Sequence, residues 1–283
     1  MNKSTQKVIE TLKKHMAEDT LIWHNPRIVT AQANLVSKKE YQGINHFVTT
    51  VVSLSERYSS PYWATFKQIK AAGGTLENAT GKGVPIIFYK DLPSKEEEGE
   101  KKRFVLRHSF VFNLDLVTGL DLEAVDTDQP GEIETDQSAE RVLNDYLTRE
   151  AIRVTAGKPA YVPAIDTIKL PALNLFVSQD EYYSTAFHEA AHSTGHSSRL
   201  ARFSDTQTKL ESREDYSKEE LVAEITAALM CHGCGVDSQA SIKNSAAYLQ
   251  GWSQFIKDEA EAFVWAVNQA YKARAFVIAG EGA

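Results

Sequence analysis

The sequence predicts an α+β protein built as two domains, and three observations carry that prediction. Its 283 residues correspond to about two domains at roughly 150 residues each. Apolar periodicity switches between helical and strand-like stretches in both halves. Charge divides the chain too: residues 1–90 hold 12 Lys/Arg against 6 Asp/Glu, and residues 126–283 hold 14 against 24. Between them, residues 120–137 carry seven acids, no base and a Pro-Gly pair, the mark of an exposed linker. The expected organisation is one domain over 1–120, an acidic linker or loop over 121–137, and a helix-rich domain over 138–283.

Each element follows from local pattern. Val8, Ile9, Leu12 and Met16 recur at helical spacing, so residues 4–18 form a helix. Helices follow at 44–57 and 64–72, the second stopped by Gly73 and Gly74. The runs VPIIFY (84–89) and FVLRHSFVFNL (104–114) are strands, joined by SKEEEGEKKR as a solvated hairpin tip. Beyond the linker come a helix at 138–152, short strands near 161–162 and 167–169, and helices at 181–195, 217–232 and 243–275. No internal repeat is visible.

Composition excludes several classes. An apolar share of 42% and a charged share of 24% are incompatible with a disordered chain or a fibrous repeat. No apolar run approaches the ~20 residues of a bilayer-spanning helix, and the first 16 residues lack the apolar centre of a signal peptide. The expectation is therefore no membrane association. Two cysteines cannot build a disulfide framework, which points to the cytosol. The net charge of −7 conceals a basic first half, so nucleic acid remains open as a partner.

The sharpest motif is His188-Glu189-Ala190-Ala191-His192. Two histidines four apart on a helix stand one turn above the other on one face. Their ring nitrogens can then reach one Zn²⁺ at about 2.0–2.1 Å. Glu189 sits beside the first of them, suited to take a proton from a water in an open coordination position. A third ligand is sought in YSKEELVAEITAAL (216–229), where Ser217 and Glu220 have capping-box spacing ahead of an apolar helix. Glu220 and Glu224 share a face there. A carboxylate among Leu, Val, Ala and Ile needs a partner. Zinc suits Glu220, and Glu224 can accept a hydrogen bond from a ligating histidine; the simpler alternative is that Glu220 only caps its helix. Cys231-His232-Gly233-Cys234 has CxxC spacing without a second pair, and it lies at a helix C-terminus rather than the N-terminus that activates thiols, so it reads as structural.

Taken in order, HEAAHSTGH, RLAR and EELVAEI resemble the metallopeptidase domain of antirestriction proteins of the ArdC type, and YVPAIDTIKLP (161–171) resembles the strand that precedes their active-site helix. YQGIN (41–45), SSPYWATFKQIKAAGG (59–74) and GKG (81–83) are similar to that family's single-stranded-DNA-binding domain. The resemblance implies an N-terminal α+β single-stranded-DNA-binding domain followed by a helix-rich, gluzincin-like zinc metallopeptidase domain. It also implies Glu220 rather than Glu224 as the third ligand, with Glu224 supporting a histidine. Metzincins place a third histidine where Ser198 stands; His196 is assigned to the rim of the site.

Nine Phe, Trp and Tyr residues in 1–90 are interleaved with the basic excess. Unpaired bases stack on exposed aromatic faces while Lys and Arg neutralise phosphates. Trp63 and Tyr41, flanked by polar residues, are expected as the stacking platform. Lys67 and Lys70 lie four and seven residues after Trp63, which predicts one shared helical face, and Lys82 remains in the loop after the double glycine. The expected function is antirestriction by a cytosolic protein of a mobile element, with one Zn²⁺ or another divalent ion per chain and single-stranded DNA and a protein or peptide substrate as partners. Two alternatives differ in kind: a regulatory or DNA-tethered metalloprotease acting on a repressor or crosslinked protein, and a zinc-containing binding protein without catalysis.

Overall fold

The computed structural model describes residues 2–16, 32–91, 104–120, 139–202, 213–236 and 259–279. The chain divides into two compact units, residues 1–130 and 131–283, and contains helices and strands in both, an α+β protein of two domains. The acidic stretch 121–137, the charged tip 94–103 and the first part of the helix expected over 243–275 lie outside the described residues.

In the first unit, helix α1 (Lys3–Met16) buries Val8, Ile9 and Leu12, the stripe its 3.6-residue period predicts. Strand β1 (Ala33–Asn34) precedes α2 (Gly43–Glu56). Strand β2 (Tyr62–Thr65) runs directly into the short α3 (Phe66–Ala71). The hairpin β4 (Val84–Asp91) and β5 (Phe104–Asn113) completes a four-stranded sheet in the order β1-β2-β5-β4, while β3 (Thr75–Leu76) and β6 (Val117–Thr118) form a small separate ladder. Helix α1 packs across β4 and α2. Asn45 on α2 donates to and accepts from the backbone of Ile87 at 2.7 and 2.8 Å, satisfying an outer-strand amide and carbonyl that would otherwise be left for water.

The stretch 62–65 is a strand where helical spacing suggested a helix from residue 64. Thr65 explains the switch. Its hydroxyl accepts from the Gln68 N–H at 3.3 Å while the Gln68 side chain accepts from the Thr65 N–H at 2.9 Å, a reciprocal cap that starts the helix only at Phe66. Trp63 therefore belongs to the inner strand and Lys67 and Lys70 to the helix, so the three do not share a helical face.

Among the described residues, the second unit has four α-helices and a three-stranded sheet: α4 (Ala139–Arg149), β7 (Arg153–Ala156), β8 (Ala160–Val162), β9 (Thr167–Leu170), α5 (Gln179–Ser193), α6 (Arg213–Gly233) and α7 (Ala260–Ala279). Strand β9 is central, parallel to β7 and antiparallel to β8. Tyr146, Ile168, Phe187, Ala190, Met230 and Phe276 meet in one core, which clamps α5 between the sheet and the other helices. Cys231 is buried in this core and its thiol is pushed up to about 12 by desolvation, an inert packing role. Helix α6 begins at Arg213, a full turn before Ser217. Ser217 and Glu220 are therefore interior to the helix rather than at the N-cap and N3 positions the spacing predicts.

Candidate metal centre

Helix α5 is anchored at its start by Ser178, whose hydroxyl accepts from the Glu181 N–H at 3.1 Å, with Asp180 and Glu181 facing the positive end of the helix dipole. Fourteen or so residues of unbroken helix then carry His188 and His192 to one face. Their Nε2 atoms lie 3.1 Å apart. Helix α6 packs against α5 and delivers Glu220, one of whose oxygens is 3.5 Å from His188 Nε2 and the other 3.5 Å from His192 Nε2.

The donor set fits a metal ion. Tetrahedral coordination at 2.0–2.1 Å separates ligands by about 3.4 Å, close to the three spacings found. Two neutral imidazole nitrogens this near each other, facing a carboxylate, also require a proton or a cation among them. Among the described residues, His188, His192 and Glu220 are the group of His, Cys, Asp and Glu that converges in this way.

Glu189 is only 7% exposed. Burial raises its carboxyl above the ordinary range, against the opposing pull of His192, His188 and the Tyr161 backbone N–H. Strand β8 thus touches the acid directly. A carboxylate whose proton affinity is raised by desolvation is a better proton acceptor.

The support of His192 comes from a residue that spacing did not single out. Glu219 is more deeply buried than either Glu220 or Glu224, and its oxygen lies 3.4 Å from His192 Nδ1. Arg202 grips the same carboxylate with both prongs, Nε at 2.9 Å and Nη2 at 2.7 Å; the two side chains are 2% and 6% exposed. Arg202 also donates to the Ala191 carbonyl at 2.8 Å and to the Thr194 hydroxyl at 2.9 Å, closing the end of α5. Burial would raise the Glu219 carboxyl, yet Arg202 and His192 hold it below the usual range. Burial opposes protonation of His192, and its hydrogen bond to Glu219 with the surrounding carboxylates outweighs that. A hydrogen bond at Nδ1 leaves Nε2 turned toward the cluster. The local hint was an acid at the head of an apolar helix run; its partner stands 17 residues upstream.

A second buried arginine fixes the opposite side of the turn. Arg199 binds both Asp166 oxygens, at 3.0 and 2.6 Å, and the Ser193 carbonyl at 2.8 Å. The Tyr161 hydroxyl donates to Asp166 at 2.7 Å. The RLAR segment therefore ties the end of α5 to both the sheet and α6. His196 lies half-exposed in that turn with Nδ1 2.8 Å from the Ser198 hydroxyl, outside the converging group, and Glu224 is half-buried one turn beyond Glu220.

Comparison with known proteins finds a family for each half of the chain. Residues 1–113 match the family described as the N-terminal domain of anti-restriction factor ArdC, and residues 137–269 match a zincin-like metallopeptidase family. The crystal structure of the antirestriction protein ArdC from plasmid R388 superposes on 96% of this chain and 96% of its own with a TM-score of 0.69 and 28% identity. The chain belongs to the ArdC-type antirestriction family.

The ArdC structure is also known in a Mn(II)-bound form, which superposes with a TM-score of 0.70. Two Escherichia coli proteins named DNA primase TraC are 30% and 29% identical over 98% of this chain. The chain spans only 20% and 27% of their lengths. A Sinorhizobium fredii protein, y4eC, is 23% identical over 94% of this chain and 87% of its own.

In the ArdC-type N-terminal unit, the aromatic expected to lead DNA binding is placed elsewhere. Trp63 is 0% exposed, its indole donating to Gln32 at 2.6 Å and its ring edge-on to Tyr58. This corrects the expectation of an exposed platform: Tyr62 and Ala64 beside it are buried as well, so both faces of this inner strand are covered, and polar residues further along the chain say nothing about that. Tyr41 is half-buried, its hydroxyl accepting from Asn34 at 3.4 Å. Lys67 and Lys70 are solvent-facing on or beside α3, and Lys82 pairs with Glu56 at 3.1 Å.

Proposed function

We propose that this ArdC-family protein binds single-stranded DNA through its N-terminal unit and is a zinc metallopeptidase through its second, with His188, His192 and Glu220 holding the ion. The observation that carries the reading is the convergence of three donors from two helices at 3.1 to 3.5 Å, with the buried Glu189 beside them. When bound, a divalent ion there supplies a Lewis acid that polarises a peptide carbonyl and acidifies a coordinated water. Glu189 accepts the proton of the attacking water and returns it to the leaving amine. The Tyr161 N–H orients the Glu189 carboxylate, Glu219 keeps His192 in the tautomer with Nε2 free to ligate, and Glu224 is assigned to support of the ligand shell. His196 stays at the rim as a donor to substrate oxygen. The plasmid origin of the solved relative and the occurrence of the same stretch in proteins named DNA primases support action in the cytoplasm on DNA of a mobile element.

Purified wild type is expected to bind one Zn²⁺ per chain, and His188→Ala or His192→Ala to lose it, since two remaining ligands rarely hold zinc tightly. Glu189→Gln should retain the ion and lose cleavage, read as host proteins shortened in cells expressing wild type but not the variant. Identical protein-length profiles for wild type and Glu189→Gln would overturn the peptidase assignment. Protection of incoming DNA from restriction, compared in the same pair, decides whether cleavage serves antirestriction: unaltered protection by Glu189→Gln leaves strand binding as the acting function.

A further inference from the structure

The first unit carries an open groove of about 900 Å³ whose walls include Phe66 and Lys67 on α3, Gly81 and Gly83 ahead of β4, and Phe110 and Phe112 on β5. Among the described residues, its lining contains a lysine and several hydroxyls and no carboxylate. Two of its rings face solvent to an unusual degree for phenylalanine, Phe66 at 51% and Phe110 at 41%. Phe112 packs against the core that contains Tyr62 and Ile69, forming a rigid floor. A Cβ on Gly83 would come within 3.1 Å of the Phe112 ring, so glycine there lets the chain lie flat against it.

Both exposed rings are held in place. The reciprocal Thr65–Gln68 cap fixes the backbone immediately before Phe66. Phe110 sits in the long β4–β5 ladder, opposite Pro85. Each ring also carries a cation: Lys70 Nζ is 5.3 Å from the Phe66 centroid, and Lys7 Nζ is 5.3 Å from the Phe110 centroid. Such surface pairs are weak, so the ammonium groups can turn to a polyanion that brings its own aromatic faces.

We propose that this groove is where single-stranded DNA binds, with bases stacked on Phe66 and Phe110 and phosphates met by Lys7, Lys67 and Lys70. The proposal deepens the single-strand-binding reading above and rests on it. Exposed rings on a fixed backbone, flanking cations and a described lining without carboxylates suit a polymer of alternating flat apolar bases and anions. Unpaired strands offer base faces, whereas the faces of a duplex are already stacked. The contact carries little sequence preference because every base has such a face.

The test uses full-length protein, a labelled oligothymidylate and a duplex of equal length, with fluorescence anisotropy and melting temperature on the same samples. Phe66→Ala and Phe110→Ala are each expected to weaken single-strand binding roughly 5- to 150-fold, the equivalent of one lost stacking contact. Phe66→Tyr should restore affinity. Lys67→Ala should reduce the magnitude of the slope of log affinity against log salt by about 0.7. If wild type binds the single strand and folded Phe66→Ala and Phe110→Ala bind it equally well, the groove is not the site and the single-strand reading survives. If an alanine variant melts early, Phe66→Tyr and Lys67→Glu decide: unchanged affinity in a Lys67→Glu protein of wild-type melting temperature overturns the proposal. Failure of wild type to bind the oligothymidylate refutes the underlying reading, and equally tight duplex binding refutes stacking.

Discussion

The buried pair of Glu219 and Arg202 decides more at the residue scale than its place beside the ligands suggests. Glu219 holds His192 from behind, and Arg202 keeps Glu219 charged and oriented. Removing a residue that orients a ligating histidine typically weakens metal binding by about 10- to 100-fold, and that is the expected result of Glu219→Ala in a zinc titration. The same change strands the Arg202 charge in the interior, for a loss of roughly 3–5 kcal/mol in denaturant unfolding. Glu220→Ala should instead abolish binding with little loss of fold in the metal-free protein, because its carboxylate is more exposed than that of Glu219. A protein that keeps tight zinc binding after Glu220→Ala and loses it after Glu224→Ala would reverse the assignment of those two acids.

At the scale of elements, the turn after α5 holds helix and sheet together through Arg199 and Asp166. Burial alone would raise the Asp166 carboxyl, but the Arg199 guanidinium and the Tyr161 hydroxyl hold it below its ordinary value of 3.8. A depressed carboxylate contributes stability that is present in full above its unfolded pKa and is lost only as pH falls through the native one. The melting-temperature gap between wild type and Asp166→Asn is therefore expected to be as large at pH 5 as at pH 7 and to narrow only below 3.8. A gap that closes between pH 7 and 5 would place the sensitivity on another group. In the first unit, Trp63 plays the corresponding structural part on β2. Trp63→Ala should cost about 3–5 kcal/mol, the range for emptying a filled aromatic core site, and should lower DNA affinity only in proportion to the unfolded fraction.

For the whole molecule, the expected sites fall one in each unit, which makes their chemistry separable. Chelation of a bound ion should lower the melting of residues 131–283, by an amount that tracks free metal: about 2.7 kcal/mol at a concentration one hundred times the dissociation constant. Single-strand affinity should stay within twofold of its value before chelation, since Phe66, Phe110 and their lysines belong to the other unit. Parallel loss of both on adding chelator would show that the ion acts on the DNA-binding unit as well. The charge split follows the same order along the chain, with a basic excess over residues 1–90 suited to a polyanion and an acidic excess over residues 126–283 that concentrates cations.

What the sequence determined by itself was everything encoded within about one turn of helix or one strand. The pair His188 and His192, the placing of Glu189 between them, the amphipathic α1 and the β4–β5 hairpin are all local spacing, because a helix or strand converts spacing directly into a shared face. Glu220 was reachable too, on a recognisable run of its own. The tertiary structure alone decided which acid is buried, which aromatic is exposed and where helices begin. Glu219 is buried where an arginine from another segment reaches it, and Trp63 is core where Gln32, 31 residues upstream, and Tyr58 close on its ring. Phe66 and Phe110 meet across one groove although 44 residues separate them. Burial is a property of what folds over a residue, and a side chain's neighbours along the chain carry little of that information.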